Sequence, residues 1–379
     1  MQTVKSGNAF LGEPYVPHLV TGLIRYNGHF CNSGCSWLKG GVLISRHTLM
    51  MLLFIFFLSG CSTWDDRIGV GNNITESEET GEMYNHLTSS NLIRDIVNHP
   101  AFEGFGELLL PRDDNSRYYD TQLSNVSSLM PYHRNVQPDI VVATLNHMID
   151  EANEGETLFY DFYSDEQKQN DPGKENTGLF FFQGDQDAPF AIISPGGGFS
   201  YVGSLHEGFP LAKRISELGL NAFVIRYRIG SERLATEDLA AAIAYIFHNA
   251  ETLGVDTNNY SVWGGSAGAR MAGNIALNGV SAYGGSNIPK PVTAVIAYTG
   301  HSSYSSDFSP AFITVAANDG IANINTVERR VENLRNAGVD VEYRRYQSAG
   351  HGFGLGTGTD AEGWVDLAVQ FWQSHMTDT

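Results

Sequence analysis

One serine lies in a short glycine-rich segment, where its surroundings could make it a nucleophile. Residues 264–268 read Gly-Gly-Ser-Ala-Gly and follow a strand-like apolar run at residues 260–263. A helical pattern over residues 267–277 comes directly after it. A tight turn between a strand and a helix strains the backbone at the serine and lifts its side chain above the sheet. The pattern predicts Ser266 as a nucleophile, with the N–H of Ala267 at the positive end of a helix, where it favours an oxyanion.

A second glycine-rich segment could hold the negative charge that such a nucleophile creates. Residues 195–199 read Pro-Gly-Gly-Gly-Phe and directly follow an apolar run at residues 190–194. Glycines let backbone N–H groups approach a carbonyl oxygen without obstruction from side chains. We therefore predict an oxyanion hole in which Gly197 or Gly198 donates, rather than Gly196. A turn with no chemical role is the alternative.

A histidine and an aspartate complete the set of groups that a serine nucleophile needs. His351 has a glycine on either side and follows the strand-like run 341–346, so it is predicted to accept and return the serine proton. Asp319 follows the run 311–316 and is predicted to orient the imidazole. Asp307, in a serine-rich stretch, is the rival for this role.

Strands and helices must alternate to bring these groups together. From about residue 157, apolar runs alternate with helical patterns, which predicts an α/β fold with a mostly parallel central sheet and helices on both faces. Sheets of this kind bind ligands at the carboxyl ends of their strands, where all the motifs lie. The predicted strands are residues 190–194, 222–227, 260–263, 292–298, 311–316 and 341–346.

Taken together, these motifs resemble a known family. The serine turn, the glycine loop, the Asp-Gly turn at Asp319 and the His-Gly-Phe run at His351 look like those of the α/β-hydrolase esterases. The resemblance is to the esterases related to hormone-sensitive lipase and to the acetyl-xylan and feruloyl esterases, and it covers residues 157–379. Pro195 departs from the histidine usual in that loop. The resemblance implies a serine carboxylic-ester hydrolase acting through an acyl-enzyme on small acyl esters of carbohydrate, without metal or organic cofactor.

Two other functions remain open on the sequence alone. The His-Gly-Phe run is also similar to prolyl-oligopeptidase-type catalytic domains, so a serine peptidase or amidase would share the same three residues. The remaining chain has no room for the β-propeller of that architecture. A non-catalytic binding lipoprotein would lack part of the constellation, whereas every part has a candidate here.

Further side chains near the motifs have predicted roles. Tyr201, His301 and Phe353 are predicted substrate contacts. Glu207 could brace the glycine loop or be a solvated carboxylate. Arg270, on the helix after the serine, is predicted to form a structural ion pair.

The N-terminal region contains a predicted export signal. Residues 49–58 are ten apolar residues, too few for a membrane span and typical of a signal peptide. They lead into Leu-Ser-Gly-Cys ending at Cys61, which resembles the bacterial lipobox. That resemblance implies cleavage before Cys61, lipid attachment to its sulfur and an exported lipoprotein held at a membrane. Residues 1–41 look like an over-extended gene start, with the true start expected near residue 42 or 43; a buried apolar segment is the alternative.

The remaining chain divides by composition. Residues 1–60 are the predicted upstream segment and signal, and residues 61–90 are a polar tether rich in Ser, Thr, Asn and Glu. Residues 91–156 are predicted to pack on the hydrolase domain and to include one helix, at residues 138–152. Tyr132 and His133 could lie near the mouth of the site or on the surface.

Composition excludes several classes of function. The net charge of −19 argues against a nucleic-acid partner, which requires a basic face. All three cysteines, Cys31, Cys35 and Cys61, precede residue 62, so the main domain has neither a disulfide framework nor a cysteine-based zinc site. The sequence has no P-loop and no His-Glu-x-x-His motif. No oligomeric state is predicted.

Overall fold

One eight-stranded sheet forms the centre of the computed structural model, which describes residues 83–377. Its order is β1-β2-β4-β3-β5-β6-β7-β8 once the strands are numbered along the chain. Pairing is antiparallel at the first two junctions and parallel at the other five. The prediction of a mostly parallel sheet is confirmed. The strands are β1 (Phe159–Tyr160), β2 (Gly178–Phe182), β3 (Ala188–Ser194), β4 (Asn221–Arg226), β5 (Val255–Gly265), β6 (Thr293–Ala297), β7 (Ala311–Ala316) and β8 (Val341–Tyr346).

Helices surround this sheet, and several begin at side chains that cap them. Ser231 accepts the N–H of Leu234 where one helix begins, and Asn323 accepts two backbone N–H groups at the start of another. The helices are α1 (Ile93–Val97), α2 (Pro138–Asn153), α3 (Asp165–Asn170), α4 (Phe209–Glu217), α5 (Glu232–His248), α6 (Ala250–Leu253), α7 (Ala267–Asn278), α8 (Ile324–Asn336) and α9 (Trp364–Gln373). A single π-helical turn, Ser204–Gly208, precedes α4.

Burial follows the apolar runs. Every residue of β4, β6 and β7 is buried, as expected for strands covered on both faces. Strand β8 is the edge of the sheet, and only its first residue is buried. The indole rings of Trp263, Trp364 and Trp372 pack together where α9 meets β5.

The strand that follows β3 along the chain lies on one side of it, and the next strand lies on the other side. This reversal of strand order leaves a crevice at the end of β3. Strand β3 pairs with β4 on one side and β5 on the other, both in parallel. Residues 195–199 follow β3 and residues 264–268 span the end of β5, so both glycine-rich segments meet at this switch point, where open α/β sheets bind ligands. Asp319 and His351 follow β7 and β8 on the same edge.

The segment before β1 shares the hydrophobic core with the sheet. The side chains of Phe102, Leu129 and Met130 are fully buried in that core. The guanidinium of Arg226, at the end of β4, is also buried and donates to the carbonyl of Pro111 at 2.8 Å. The N–H of Val202 donates to the same carbonyl, also at 2.8 Å. Residues 83–156 are therefore tied to the strand ends that carry the site.

The predicted signal, Cys61 and most of the polar tether lie outside the described residues. Within residues 83–377, no helix combines the length and apolar character required to cross a membrane.

Candidate active site

Ser266 occupies a strained turn between β5 and α7. Its backbone has φ 51° and ψ −110°, a conformation that costs roughly 1–3 kcal/mol for a residue with a side chain. The turn also brings α7 very close to β3, since a Cβ at Gly268 would lie 1.8 Å from the carbonyl oxygen of Ser194. Glycine at this position lets the turn close, and the closed turn presents the serine hydroxyl at the edge of the sheet.

His351 connects the serine to a buried carboxylate. Its Nε2 lies 2.9 Å from Ser266 Oγ, and its Nδ1 lies 2.8 Å from Asp319 Oδ2. Asp319 Oδ1 accepts the N–H groups of Ile321 and Ala322 at 2.8 and 2.7 Å, which fixes the carboxylate in place. The structure thus brings the predicted nucleophile, base and acid into one chain of hydrogen bonds. The rival, Asp307, is exposed and does not contact His351.

Two loops next to Ser266 contain the candidate oxyanion donors. The N–H of Gly196 donates to Glu207 Oε2 at 2.6 Å and cannot serve an oxyanion as well. Among the described residues, no group accepts from the N–H of Gly197, Gly198 or Ala267. This geometry favours Gly197 or Gly198 over Gly196 as an oxyanion donor, and the N–H of Ala267 at the start of α7 is a further candidate.

Two depressions meet at His351 and Ile321. The first, which we call the serine cavity, has a volume of about 440 Å³. It is lined by Gly198, Phe199, Glu232, Ser266, Ala267, Arg270, Tyr298, Thr299, Gly300, Ile321, Ala322 and His351. The second, which we call the histidine cleft, has a volume of about 580 Å³. It is lined by Pro131, Tyr132, Arg134, Asn135, Asn318, Gly320, Ile321, Ser348, Ala349, Gly350, His351 and Thr359.

The aromatic wall beside His351 is neutral. The ring of Tyr298 lies edge-on to the imidazole, with centroids 5.4 Å apart. Burial, together with the neighbouring Glu207 carboxylate, raises the pKa of Tyr298 well above its usual value. Its phenol therefore stays protonated and adds no charge next to the proposed base.

The three predicted substrate contacts do not line the serine cavity or the histidine cleft. Tyr201 is fully buried, and its hydroxyl is occupied by His133 Nδ1 at 2.8 Å. Phe353 is also fully buried and packs edge-on to Tyr298. His301 is buried, and burial, followed by the charges of Arg330 and Arg270, lowers its pKa to about 4. All three support the walls, because their side chains are covered by protein.

The structure also gives the positions of the other side chains that the sequence singled out. Glu207 is buried and braces the glycine loop, so the solvated alternative is excluded. Arg270 Nε donates to Glu232 at 2.6 Å in the predicted ion pair. Tyr132 is 45% exposed in the histidine cleft, whereas His133 is buried against Glu207.

Arg134, Glu232 and Tyr298 were not predicted as part of the site, although they line its walls. Tyr298 directly follows β6, so its place at a strand end was the available signal. In the part of the chain that the structure describes, no group of three or more His, Cys, Asp or Glu side chains is arranged to hold a metal ion.

One family profile and two curated proteins match parts of this chain in sequence. The sequence profile of the family described as BD-FAE matches residues 182–332, from the end of β2 into α8. An acetylxylan esterase of Xylanibacter ruminicola is 23% identical over 201 residues, covering 44% of this chain and 42% of that protein. Endo-1,4-beta-xylanase B of Butyrivibrio fibrisolvens is 30% identical over 93 residues, covering 23% of this chain and 14% of the xylanase. The chain thus spans less than half the length of the curated relatives it matches.

Comparison with solved structures addresses the fold. The acetyl ester-xyloside bifunctional hydrolase of Caldicellulosiruptor lactoaceticus superposes with a TM-score of 0.50 at 20% identity. The match covers 57% of this chain and 95% of the hydrolase. The fold is that of the α/β-hydrolases. In α/β-hydrolases the nucleophile, acid and base follow one another along the chain in the order found here for Ser266, Asp319 and His351.

Proposed function

We propose that this protein is a serine carboxylic-ester hydrolase that acts through an acyl-enzyme on small acyl esters of carbohydrate. One observation carries the proposal. The hydrogen-bonded chain from Ser266 through His351 to Asp319 lies beside unoccupied backbone N–H groups. A strained nucleophile, an oriented base and an oxyanion hole are together what acyl transfer requires.

The first step would acylate the serine. His351 Nε2 takes the proton from Ser266 Oγ as the oxygen attacks the ester carbonyl. The N–H groups of Ala267 and of Gly197 or Gly198 stabilise the resulting oxyanion. When the tetrahedral intermediate collapses, the C–O bond to the alcohol breaks, and His351 returns the proton to the leaving alkoxide.

The second step would release the acid. Water gives a proton to His351 Nε2 and attacks the acyl-enzyme carbonyl, forming a second oxyanion in the same hole. Collapse breaks the bond to Ser266 Oγ, which recovers its proton from the imidazole. The Asp319 carboxylate stabilises the imidazolium each time it forms.

The position of the base supports an assignment of the two sides of the ester. The leaving oxygen must lie next to His351, from which it receives its proton, so the alcohol extends into the histidine cleft. The cleft has an exposed aromatic ring, Tyr132, and polar side chains at Arg134, Asn135 and Asn318. A flat ring surrounded by hydrogen-bonding groups suits a sugar, whose ring is apolar on its faces and carries hydroxyls at its edge.

The names of the relatives support the same substrate class. One is an acetylxylan esterase and another is an acetyl ester-xyloside hydrolase. We therefore extend to this chain the cleavage of small acyl groups from xylose-containing carbohydrate.

A matched pair of esters would test the assignment. Ethyl acetate and an acetylated xylo-oligosaccharide carry the same acyl group on different alcohols, and kcat/KM should be higher for the sugar ester. Aminoacyl p-nitroanilides, which a serine peptidase would cleave, should react far more slowly than p-nitrophenyl acetate. Faster cleavage of the amides would overturn the esterase proposal.

Tyr132→Ala is expected to lower the preference for the sugar ester. The ratio of kcat/KM for the acetylated xylo-oligosaccharide to that for ethyl acetate should fall roughly 10-fold, equivalent to about 1.4 kcal/mol of contact with the transition state. Tyr132→Phe should retain most of the preference because it keeps the ring. Tyr304, which is 49% exposed and lines neither depression, provides the matched control Tyr304→Ala. If the two ratios are equal in Tyr132→Ala and Tyr304→Ala, the sugar does not bind in the histidine cleft.

We also propose that Cys61 anchors the protein to a membrane. The support is the short apolar run at residues 49–58, its Leu-Ser-Gly-Cys ending and the absence of cysteine from the chain after it. Stable anchoring generally needs more than one lipid chain, which multiple acylation at a single cysteine would supply. The protein would then be an exported bacterial lipoprotein.

Cys61→Ala is expected to remove lipid labelling and membrane association together while leaving esterase activity per molecule unchanged. The measurement is incorporation of labelled fatty acid and sedimentation with membranes, in the bacterium that expresses the full chain. Mass spectrometry of the wild-type protein should find cleavage before Cys61. A membrane-bound protein that retains residues 1–60 would contradict both the lipobox and the late start.

A further inference from the structure

A buried carboxylate lies directly behind the proposed catalytic groups. Glu207 belongs to the π-helical turn Ser204–Gly208 and is 1% exposed. Single π-helical turns are frequent at functional sites because they displace one side chain from the helical register. The proposed acylation and deacylation steps do not use this carboxylate. Burying a charged group without a partner would cost free energy of folding.

Glu207 contacts all three loops that the proposed reaction uses, and each loop has a glycine at the contact. A Cβ at Gly196 in the oxyanion loop, or at Gly265 before the nucleophile, would lie 2.6 Å from Glu207 Oε2. A Cβ at Gly352, after the proposed base, would lie 3.1 Å from Glu207 Oε1. Bare backbone from three separate loops therefore packs on one carboxylate, which also accepts the N–H of Gly196.

The partner of Glu207 comes from the segment that precedes the sheet. His133 Nε2 lies 3.0 Å from Glu207 Oε1, with both side chains almost completely buried. The imidazole is thus in close contact with Oε1, although no described group makes a well-aligned hydrogen bond to that oxygen. The other ring nitrogen of His133 lies 2.8 Å from the Tyr201 hydroxyl, which holds the imidazole in place.

The next residue of that segment holds the loop of the proposed base. The N–H of Arg134 donates to the carbonyl of His351 at 3.0 Å and to that of Gly352 at 3.3 Å. His206, adjacent to Glu207, also contacts the Gly352 carbonyl, at 3.0 Å from Nε2. Residues 132–134 therefore connect the oxyanion loop with the base loop.

The surroundings keep Glu207 ionised. Burial alone would raise its pKa, but the neighbouring imidazoles of His133 and His206 and the N–H of Gly196 together lower that pKa to about 2. With these partners in place, the Glu207 carboxylate is therefore ionised at neutral pH. The titratable groups facing it are His133, His206, Tyr201, Tyr227 and Tyr298.

We infer that Glu207 and His133 form a positioning pair that holds the oxyanion loop, the nucleophile turn and the base loop in mutual register. The inference rests on the proposed serine-hydrolase function. Neither side chain lines the serine cavity, so the pair acts through the backbone it supports. Loss of the pair should therefore weaken transition-state contacts more than substrate binding.

Glu207→Gln tests this directly, with Glu251→Gln, on the exposed surface of α6, as the matched control. The amide has almost the same size but lacks the charge that pairs with His133. We expect kcat for p-nitrophenyl acetate to fall on the order of 10²-fold, comparable to the loss of one oxyanion donor, with KM within about 3-fold of wild type. Affinity for a trifluoromethyl ketone, which forms a tetrahedral adduct with the serine, should fall in parallel with kcat.

His133→Phe tests the role of the partner through the pH profile. Without the imidazole, burial dominates and the pKa of Glu207 rises, so protonation of the carboxylate should add a second loss of kcat/KM on the acid side of the profile. The double variant His133→Phe/Glu207→Gln has no carboxylate to protonate and should lack that added limb. His248→Gln, an exposed histidine of α5, is the control for histidine loss.

The outcomes separate the inference from the function on which it rests. An inactive wild-type protein would refute the proposed function. An active wild type whose Glu207→Gln variant matches Glu251→Gln would overturn the positioning pair, as would equal pH profiles for the single and double His133 variants. If His133→Phe does not fold, Tyr201→Phe removes the hydroxyl that contacts the imidazole and accepts the N–H of Tyr132, and kcat should fall about 3- to 10-fold at unchanged KM. An unchanged kcat in Tyr201→Phe would then count against the inference.

Discussion

Ser266→Ala is expected to lower kcat by about 10⁶-fold, the loss found when the nucleophile of a triad enzyme is removed. His351 Nε2 lies 2.9 Å from the serine Oγ, and the variant leaves the base with nothing to activate for acyl transfer. The backbone of the turn should survive because alanine keeps the Cβ and removes only the hydroxyl. Turnover of p-nitrophenyl acetate by purified protein measures the effect.

A fluorophosphonate probe provides the matching chemical test. It should label wild-type protein at Ser266 and leave Ser266→Ala unlabelled, while circular dichroism and Tm remain those of the wild type. If the purified variant keeps more than a few per cent of wild-type turnover, Ser266 is not the nucleophile.

Asp319→Asn should reduce kcat by about 10⁴-fold, the effect of the same change in another triad enzyme. The carboxylate now accepts from His351 Nδ1, at 2.8 Å from Oδ2. An amide group there donates instead, which favours the wrong tautomer and leaves Nε2 unable to accept the serine proton. The side-chain oxygen of Asn can still accept the N–H groups of Ile321 and Ala322, so the loop should remain folded.

Asp307→Asn is the control for charge loss in the same part of the chain. Asp307 is exposed, and its backbone carbonyl, rather than its carboxylate, accepts from Lys290. We expect kcat within about 2-fold of wild type, since exposed substitutions away from the site usually have small effects. A large loss in Asp307→Asn with little loss in Asp319→Asn would transfer the acid role to Asp307.

Strands were predictable where the apolar run and the strand coincide. Strands β7 and β8 begin and end at the predicted residues. The prediction for β5 began at residue 260, five residues late, because Asp256–Asn259 are polar although they belong to the strand. Strands β1 and β2 were missed: β1 has only two residues, and the short aromatic run of β2 has no following helix to mark a β-α unit.

The proposed catalytic groups were predictable because each sits in a local motif at the end of a strand. Ser266 is recognised from its neighbouring residues, whereas Asp319 is preferred over its rival Asp307 because it directly follows a predicted strand. The residues that line the serine cavity and the histidine cleft belong to no comparable sequence motif. Tyr201 and Phe353 are aromatic and close to the motifs, but sequence alone does not distinguish a ring that lines a cavity from one buried behind it.

The Glu207–His133 pair shows a different limit of sequence reasoning. Its members belong to different parts of the chain, and a polar residue near a surface loop is usually solvated. Only the folded arrangement shows that the two side chains are almost completely buried together. The sequence suggested bracing by Glu207 as one alternative and could not identify its partner.

Contacts between residues 135–137 and the loop that follows His351 must form before the proposed active site is complete. The side chains of Asn135 and Gln137 both donate to the carbonyl of Thr357, contacts that join residues 222 and 220 positions apart. Contacts of such high sequence separation form slowly, because a long loop must close before they contribute stability. Synthesis from the N-terminus produces Ser266 well before His351. A nascent chain therefore carries the Ser266 hydroxyl before it carries the base, and the proposed ester cleavage requires that residues 135–137 and the loop after His351 have come together.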